Sequence, residues 1–224
     1  MFFNHVRPDL KKVILEQVNE NGTRYYVTPE GNKYPSVTTV LSEHSRQSIA
    51  EWRAKVGEEE ANRVSVKASG RGTRIHKYCE DYINNETFTI PNIFDREMFE
   101  SMKPELHRIN NVHAQEHRMF SNYLRMAGTV DCIGEHDGRL SIIDFKTATK
   151  PKRPEWIKNY FMQCCAYAIM YEELYKEPIQ KLVVIIGVDN NEPQVFVEKR
   201  DNWVEQLLYY RDFNEGKRSN LLTA

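Results

Sequence analysis

No apolar run in this 224-residue chain approaches the length needed to cross a bilayer. Its start, Met-Phe-Phe-Asn-His-Val-Arg-Pro-Asp-Leu, has neither the charged opening nor the apolar stretch of a signal peptide. A cytoplasmic location with no membrane partner is the expectation. Cysteine is scarce: Cys79, Cys132, Cys164 and Cys165 lack disulfide-scaffold spacing and read as reduced core thiols. An excess of either charge is missing too, with 31 basic residues against 32 acidic ones and a net charge of -1. Any polyanion must therefore be met by a local concentration of cations. No Gly-x-x-x-x-Gly-Lys-Ser/Thr loop is present, so ATP-driven work requires a partner.

What is present is an ordinary globular composition, 40% hydrophobic and 28% charged, in a chain long enough for a sizeable core. Its most informative stretch runs from Met126 to Thr147 and reads as two strands about an Asp137-Gly138 turn. Residues of equal parity share a strand face, so Asp144 and Lys146 end an apolar face begun by Leu140 and Ile142. Thr129, Asp131 and Ile133 share a side of the first strand, and pairing across the turn brings Asp131 toward Asp144 and Lys146. Two carboxylates and an ammonium suit Mg2+ or Mn2+, which take oxygen ligands beside a phosphate substrate. A buried salt bridge is the alternative reading of the same residues.

Gly128-Thr129-Val130-Asp131 with Ile142-Ile143-Asp144-Phe145-Lys146-Thr147 resembles the core of the PD-(D/E)xK nuclease superfamily in its RecB-like branch. Gly72-Thr73-x-x-His76 resembles the branch's Gly-Thr-x-x-His motif, and Gln163-x-x-x-Tyr167 its Gln-x-x-x-Tyr motif. Pro35 to Leu41 is similar to a segment of mitochondrial-type and phage-borne exonucleases of that branch. The second acid is aspartate, where many relatives have glutamate.

The resemblance implies an α/β restriction-endonuclease-like core, a mixed central sheet flanked by helices. It implies a metal-dependent DNA exonuclease preferring single strands, in DNA processing, recombination or repair. Asp131, Asp144, His76 and the Phe145 backbone carbonyl would hold Mg2+ or Mn2+, with Glu116 as a further metal group. Lys146 would position water; Gln163 and Tyr167 would orient the site and the strand. No iron-sulfur cluster is expected, because Cys132 lies between catalytic positions and Cys164-Cys165 are adjacent on a helix. The implied partners are DNA and a separate helicase or single-strand-binding protein; for a phage-encoded chain, the compartment is the bacterial host cytoplasm. Rival readings are a duplex-end exonuclease or structure-selective endonuclease on the same core, and a non-catalytic DNA-binding or scaffold module.

A single domain over 1–224 is expected: an N-terminal hairpin and lead-in to 47, a helical part over 48–111, and the catalytic sheet with its covering helices over 112–224. Arg24 to Thr28 and Lys33 to Val37 read as strands about Pro29-Glu30-Gly31-Asn32. Ser36 either caps the short helix that follows or contacts DNA. Helical periodicity covers 48–68, then Ser65 to Thr73 reads as a glycine-softened cationic stretch with Arg71 and Arg74 as phosphate contacts, and a helix over 73–84 carries His76. Glu80 pairs with Lys77 on that helix. The segment 85–111, a loop and then a helix from Asp95 broken near Pro104, is the candidate for an arch over a threaded strand. A strand over 113–121 carries Glu116, and Glu135 reads as a surface charge. Thr147 and Lys150 belong to a basic loop toward the strand backbone. A helix over 154–176 follows with a largely buried stripe from Trp156 to Leu174, then strands over 181–188 and 194–199 and a helix over 202–213.

Overall fold

The computed structural model describes residues 2–7 and 10–217, without the side chains of Glu43 and His44. Asp137 and Gly138 both take positive φ, 50° and 70°, as a two-residue hairpin turn matching the twist of its strands requires. They join β5 (Met126–His136) to β6 (Arg139–Ala148), the hairpin expected from the sequence. β4 (Ile109–Ser121) lies antiparallel on β5. β7 (Lys181–Val188) runs parallel to β6, and β8 (Gln194–Lys199) antiparallel to β7. The result is a five-stranded mixed sheet in the order β4-β5-β6-β7-β8, as the expected fold class requires. A parallel pair needs a crossover, and α4 (Lys158–Tyr175) supplies it.

Strand alternation sorts β6 and β7 between two cores. Ile142, Leu182 and Val184 face α4 and α5 (Val204–Asn214), whose Leu207 joins them. Ile143, Phe145, Val183 and Ile185 face the opposite helical layer. All four cysteines are free and buried.

A three-stranded sheet precedes this core: β1 (Glu16–Glu20), β2 (Thr23–Val27) and β3 (Lys33–Pro35). β1 is an addition to the expected hairpin; its sequence, Glu-Gln-Val-Asn-Glu, has no apolar alternation because four of its five residues are exposed. Ser36 then caps α1 (Val37–Val56) by accepting the Thr39 N–H at 3.0 Å.

Several helical boundaries differ from those expected. The helical part begins at Val37, not at 48, and α1 is 20 residues long. Gly57, at φ +87°, separates it from α2 (Glu58–Ile83), so the periodicity over 48–68 spans two helices. Gly70 and Gly72 are helical, so the cationic stretch expected to be softened by glycine is part of α2. Each glycine costs about 1 kcal/mol against alanine in a helix, which the 24 other residues of α2 absorb. A Cβ at Gly72 would sit 4.0 Å from Thr147 Oγ1, an ordinary van der Waals contact, so this face of α2 meets β6 without requiring glycine.

Pro104 does not end α3 (Ile93–Leu106): it lies in the last turn, where its missing N–H leaves one earlier carbonyl without its helical donor but the helix continues to Leu106. Met98, Phe99, Met102 and Leu106 are buried in the core, which removes 85–111 as an arch. The element that stands off the body is the α1–α2 pair. Its ends are rooted by Val37, Val40 and Leu41 and by Ile75, Cys79 and Ile83, while between Ser42 and Thr73 only Ala61 is buried among the described residues. Trp156 is 58% exposed, in a short 3-10 turn ahead of α4 with the Arg153 guanidinium over its ring, so the buried stripe starts later than expected. No helix among the described residues is long and apolar enough to cross a membrane.

Candidate active site

Pairing between β5 and β6 ends at Cys132–Ile143, although both strands continue. At this splay Asp131 Oδ2 accepts the Phe145 N–H at 2.8 Å, taking the place of a backbone acceptor. Val130 and Ile133 both enter the α4-side core while Cys132 enters the other, so alternation slips by one residue at Asp131. Asp131 therefore does not share the side of Ile133 as expected. It faces α2, where His76 Nδ1 lies 3.3 Å from Oδ2.

β4 carries the matching irregularity. Gln115 pairs with Cys132 and His117 with Val130, which leaves Glu116 opposite Asp131 without a rung and at φ +45°. Donor atoms of His76, Glu116 and Asp131 all lie within 4.8 Å of one another. Glu116 keeps contact with solvent, yet desolvation, with the Asp131 and Glu80 carboxylates adding to it, raises its pKa to about 7.

Asp144 is 1% exposed. Its Oδ1 accepts from Lys146 Nζ at 2.8 Å and from Gln163 Nε2 at 3.1 Å. Its Oδ2 lies 2.6 Å from the same ammonium but has no properly directed hydrogen bond and no solvent contact. Burial raises the Asp144 pKa, Lys146 opposes that, and the Asp131 charge adds to it. Burial alone would depress the Lys146 ammonium, but Asp144 and Asp131 hold its pKa above the usual value, so it is charged at neutral pH. The Tyr160 ring lies 5.2 Å from that ammonium, and sequence periodicity assigned it only to the helix stripe. Burial beside Asp144 keeps Cys164 a neutral thiol.

These residues form two adjoining groups, His76–Glu116–Asp131 and Asp144–Lys146–Gln163. An imidazole, two carboxylates and an orphaned buried carboxylate oxygen fit a hard divalent cation such as Mg2+ or Mn2+. Phe145 takes part through its amide. Tyr167, 3% exposed, lies close to Gln163, one turn along α4. Its hydroxyl would lie 2.9 Å from a Cβ on Gly128, which is why that strand position is glycine.

The residues expected to contact DNA are not gathered onto one surface. Ser36 is 2% exposed and occupied as a cap. Arg71 binds both oxygens of Asp189, and Arg74 binds Asp95. Thr147 is half-buried beside Gly72, and Lys150 is exposed in the loop after β6. Glu80 pairs with Lys77 at 3.2 Å, and Glu135 accepts from Asn111.

The family model described as the PD-(D/E)XK nuclease superfamily matches residues 40–213. Mitochondrial genome maintenance exonuclease 1 of Homo sapiens is 25% identical over 209 residues, covering 84% of this chain and 60% of that protein. Its Mus musculus counterpart is 26% identical over 214 residues, covering 85% and 61%. This chain thus spans about three fifths of the length of those relatives. A solved structure of a candidate exonuclease from Eubacterium rectale superposes with a TM-score of 0.49 at 14% identity, covering 67% of this chain and 65% of that one. Since the superfamily match takes in both adjoining groups and well over half of the sequence, the chain belongs to the PD-(D/E)XK nuclease superfamily.

Proposed function

We propose that this chain is a Mg2+- or Mn2+-dependent deoxyribonuclease that removes nucleotides from DNA ends and prefers single strands. The observation that carries this reading is the buried Asp144 carboxylate, with one orphaned oxygen, beside a charged Lys146 and next to the His76–Glu116–Asp131 group. His76, Asp131, Asp144 and the Phe145 carbonyl would hold the cation, with Glu116 as a further ligand. When bound, that cation supplies Lewis-acid polarisation of the phosphate and a more acidic water.

The chain's own groups do the rest. Lys146 orients the attacking water and offsets charge growing on the phosphate oxygens. Gln163 fixes the rotamer of Asp144, and Tyr167, one turn along α4, orients the site beside it. The Phe145 amide holds Asp131 where the strands part. Support for single strands comes from the RecB-like resemblance and from the α1–α2 projection, which stands beside His76 and suits an unpaired strand better than a duplex. A role in DNA processing, recombination or repair, alongside a separate helicase or single-strand-binding protein, follows from the same reading.

The test is a digestion time course in Mg2+ or Mn2+ on linear single-stranded, duplex and circular single-stranded DNA, labelled at each end, with Lys146→Ala beside it. Loss of linear single strands with circles spared and Lys146→Ala inert is the expected result. Cleaved circles would make the enzyme an endonuclease, and no metal-dependent cleavage of any substrate would leave a binding module.

A further inference from the structure

α4 brings more than Gln163 to the cleavage site. Asp144 and Lys146 lie on the α4 side of β6, as Ile142 does, and Tyr160, three residues before Gln163 and so on a neighbouring part of the helix surface, meets the lysine. The Lys146 ammonium sits over the Tyr160 ring, 5.2 Å from its centroid, inside the roughly 6 Å at which a ring face attracts a cation. Gln163 Nε2 holds the acid at 3.1 Å while Tyr160 faces its counter-ion. One turn of helix thus addresses both members of the pair.

Packing alone does not call for this tyrosine. Its neighbour Phe161 is 2% exposed and Ile157 is fully buried, whereas Tyr160 is half-buried at the edge of the core, where leucine would serve the helix stripe as well. The Tyr160 hydroxyl makes no hydrogen bond among the described residues, which leaves the ring as its point of contact with the site.

A lysine carries its strongly hydrated ammonium on a flexible four-carbon stem, so it is ordered only where its surroundings hold it. Asp144 Oδ1 accepts one of its N–H donors at 2.8 Å. A ring face attracts the charge without claiming another donor, as a carboxylate or amide in the same place would. Lys146 is thereby steadied with donors to spare for a water or a phosphate oxygen, and its side chain is 18% exposed, so a substrate can reach it.

We propose that Tyr160 is a positioning residue for phosphodiester cleavage, its ring face holding the Lys146 ammonium beside Asp144 so that the lysine meets the substrate already ordered. This rests on the reading of the chain as a metal-dependent deoxyribonuclease and adds what keeps its lysine in place.

The test compares the full chain with Tyr160→Phe, Tyr160→Leu and a variant with pentafluorophenylalanine in place of Tyr160. The fluorinated ring fills nearly the same space as phenylalanine but lacks the negative face that attracts a cation. On linear single-stranded and duplex DNA in Mg2+, phenylalanine should keep the rate, while leucine and the fluorinated ring should each lower kcat about tenfold with KM unchanged. A second readout needs neither metal nor turnover. In the metal-free chain with isotope-labelled lysine, the ε-methylene protons of Lys146, identified by their absence from Lys146→Arg, should be shifted upfield by the ring and should return to the ordinary lysine position in Tyr160→Leu. Full cleavage by the leucine and fluorinated variants, or an unshifted Lys146 signal in the unaltered chain, would overturn the proposal. A loss in Tyr160→Phe as deep as in Tyr160→Leu would move the role to the hydroxyl, and a raised KM with kcat kept would make Tyr160 a DNA contact, so either also overturns it. If Tyr160→Leu fails to fold, the fluorinated variant decides. An unaltered chain that shows the shifted lysine signal but cuts no DNA would sink the nuclease reading and leave the contact purely structural.

Discussion

Gln163 Nε2 donates to Asp144 Oδ1 at 3.1 Å, and one turn on along α4 Tyr167 packs against Gly128 of β5, so α4 holds the acid while the sheet holds α4. Substitutions far from any substrate are therefore expected to reach the chemistry.

Gly128→Ala puts a methyl group 2.9 Å from the Tyr167 hydroxyl and 3.0 Å from Cε1 of its ring, in a core with no room to yield. Stability should fall by about 1–3 kcal/mol. Urea melts of Gly128→Ala with and without Tyr167→Phe check this. The double variant recovers part of the loss if the hydroxyl is the obstacle, and none if strand β5 itself is distorted.

Gln163→Ala leaves Asp144 Oδ1 with Lys146 as its sole donor. A supporting hydrogen bond of this kind is worth about 10- to 100-fold in activity or metal affinity. Cleavage rates and Mn2+ titrations on the same preparation read both. A rate within twofold of the unaltered chain would mean that Asp144 needs no help from α4.

Lys146→Met removes the counter-ion of a carboxylate that is 1% exposed, so at neutral pH Asp144 must either stay charged and unpaired or take up a proton, and both cost stability. The expected destabilisation is about 3–5 kcal/mol. Protonated Asp144 needs no counter-ion, so the gap to the unaltered chain should narrow as pH falls. Denaturation at a series of pH values measures it, and a gap independent of pH would contradict the ion-pair account.

Glu116, with its pKa raised to about 7, binds a proton more tightly in the folded chain than in the unfolded one. Its contribution to stability is therefore unfavourable above about pH 7 and is relieved as pH falls toward the ordinary glutamate range near 4.5. Glu116→Gln should raise the melting temperature of the metal-free chain at pH 8, with the advantage shrinking in acid. The same proton competes with a cation, so Mn2+ affinity of the unaltered chain should climb with pH to about 7 and then level. Calorimetry in buffers of different ionisation enthalpy counts the protons released. A flat affinity between pH 6 and 8 would remove Glu116 from the ligand set.

Much of this was legible in the sequence. The Asp137-Gly138 turn, the alternation through Ile142 and Asp144, and the order of the last strands follow from local rules, and all stand in the fold. What resisted was set by contacts that no period encodes. Gly70 and Gly72 read as a loop, yet both lie inside α2, whose buried Ile75, Cys79 and Ile83 anchor it to the core. Gly57 alone divides two helices whose periodicity runs through it. Glu116 and Asp131 are brought face to face by paired irregularities in β4 and β5, where strict alternation turns Asp131 the other way. Arg71 and Arg74 read as free cations because Asp189 and Asp95 are 118 and 21 residues distant.

The splay between β5 and β6 gives Asp131 two roles that a substitution cannot separate. Asp131 Oδ2 belongs at once to the candidate ligand set and to the sheet's own hydrogen-bond accounting, through the Phe145 amide. Truncating Asp131 therefore orphans the backbone donor that lies between Asp144 and Lys146, and any loss of activity would be part chemistry and part architecture. The Phe145 amide resonance is a built-in gauge of that division: its chemical shift follows what Asp131 binds, and its solvent exchange follows whether the rung survives.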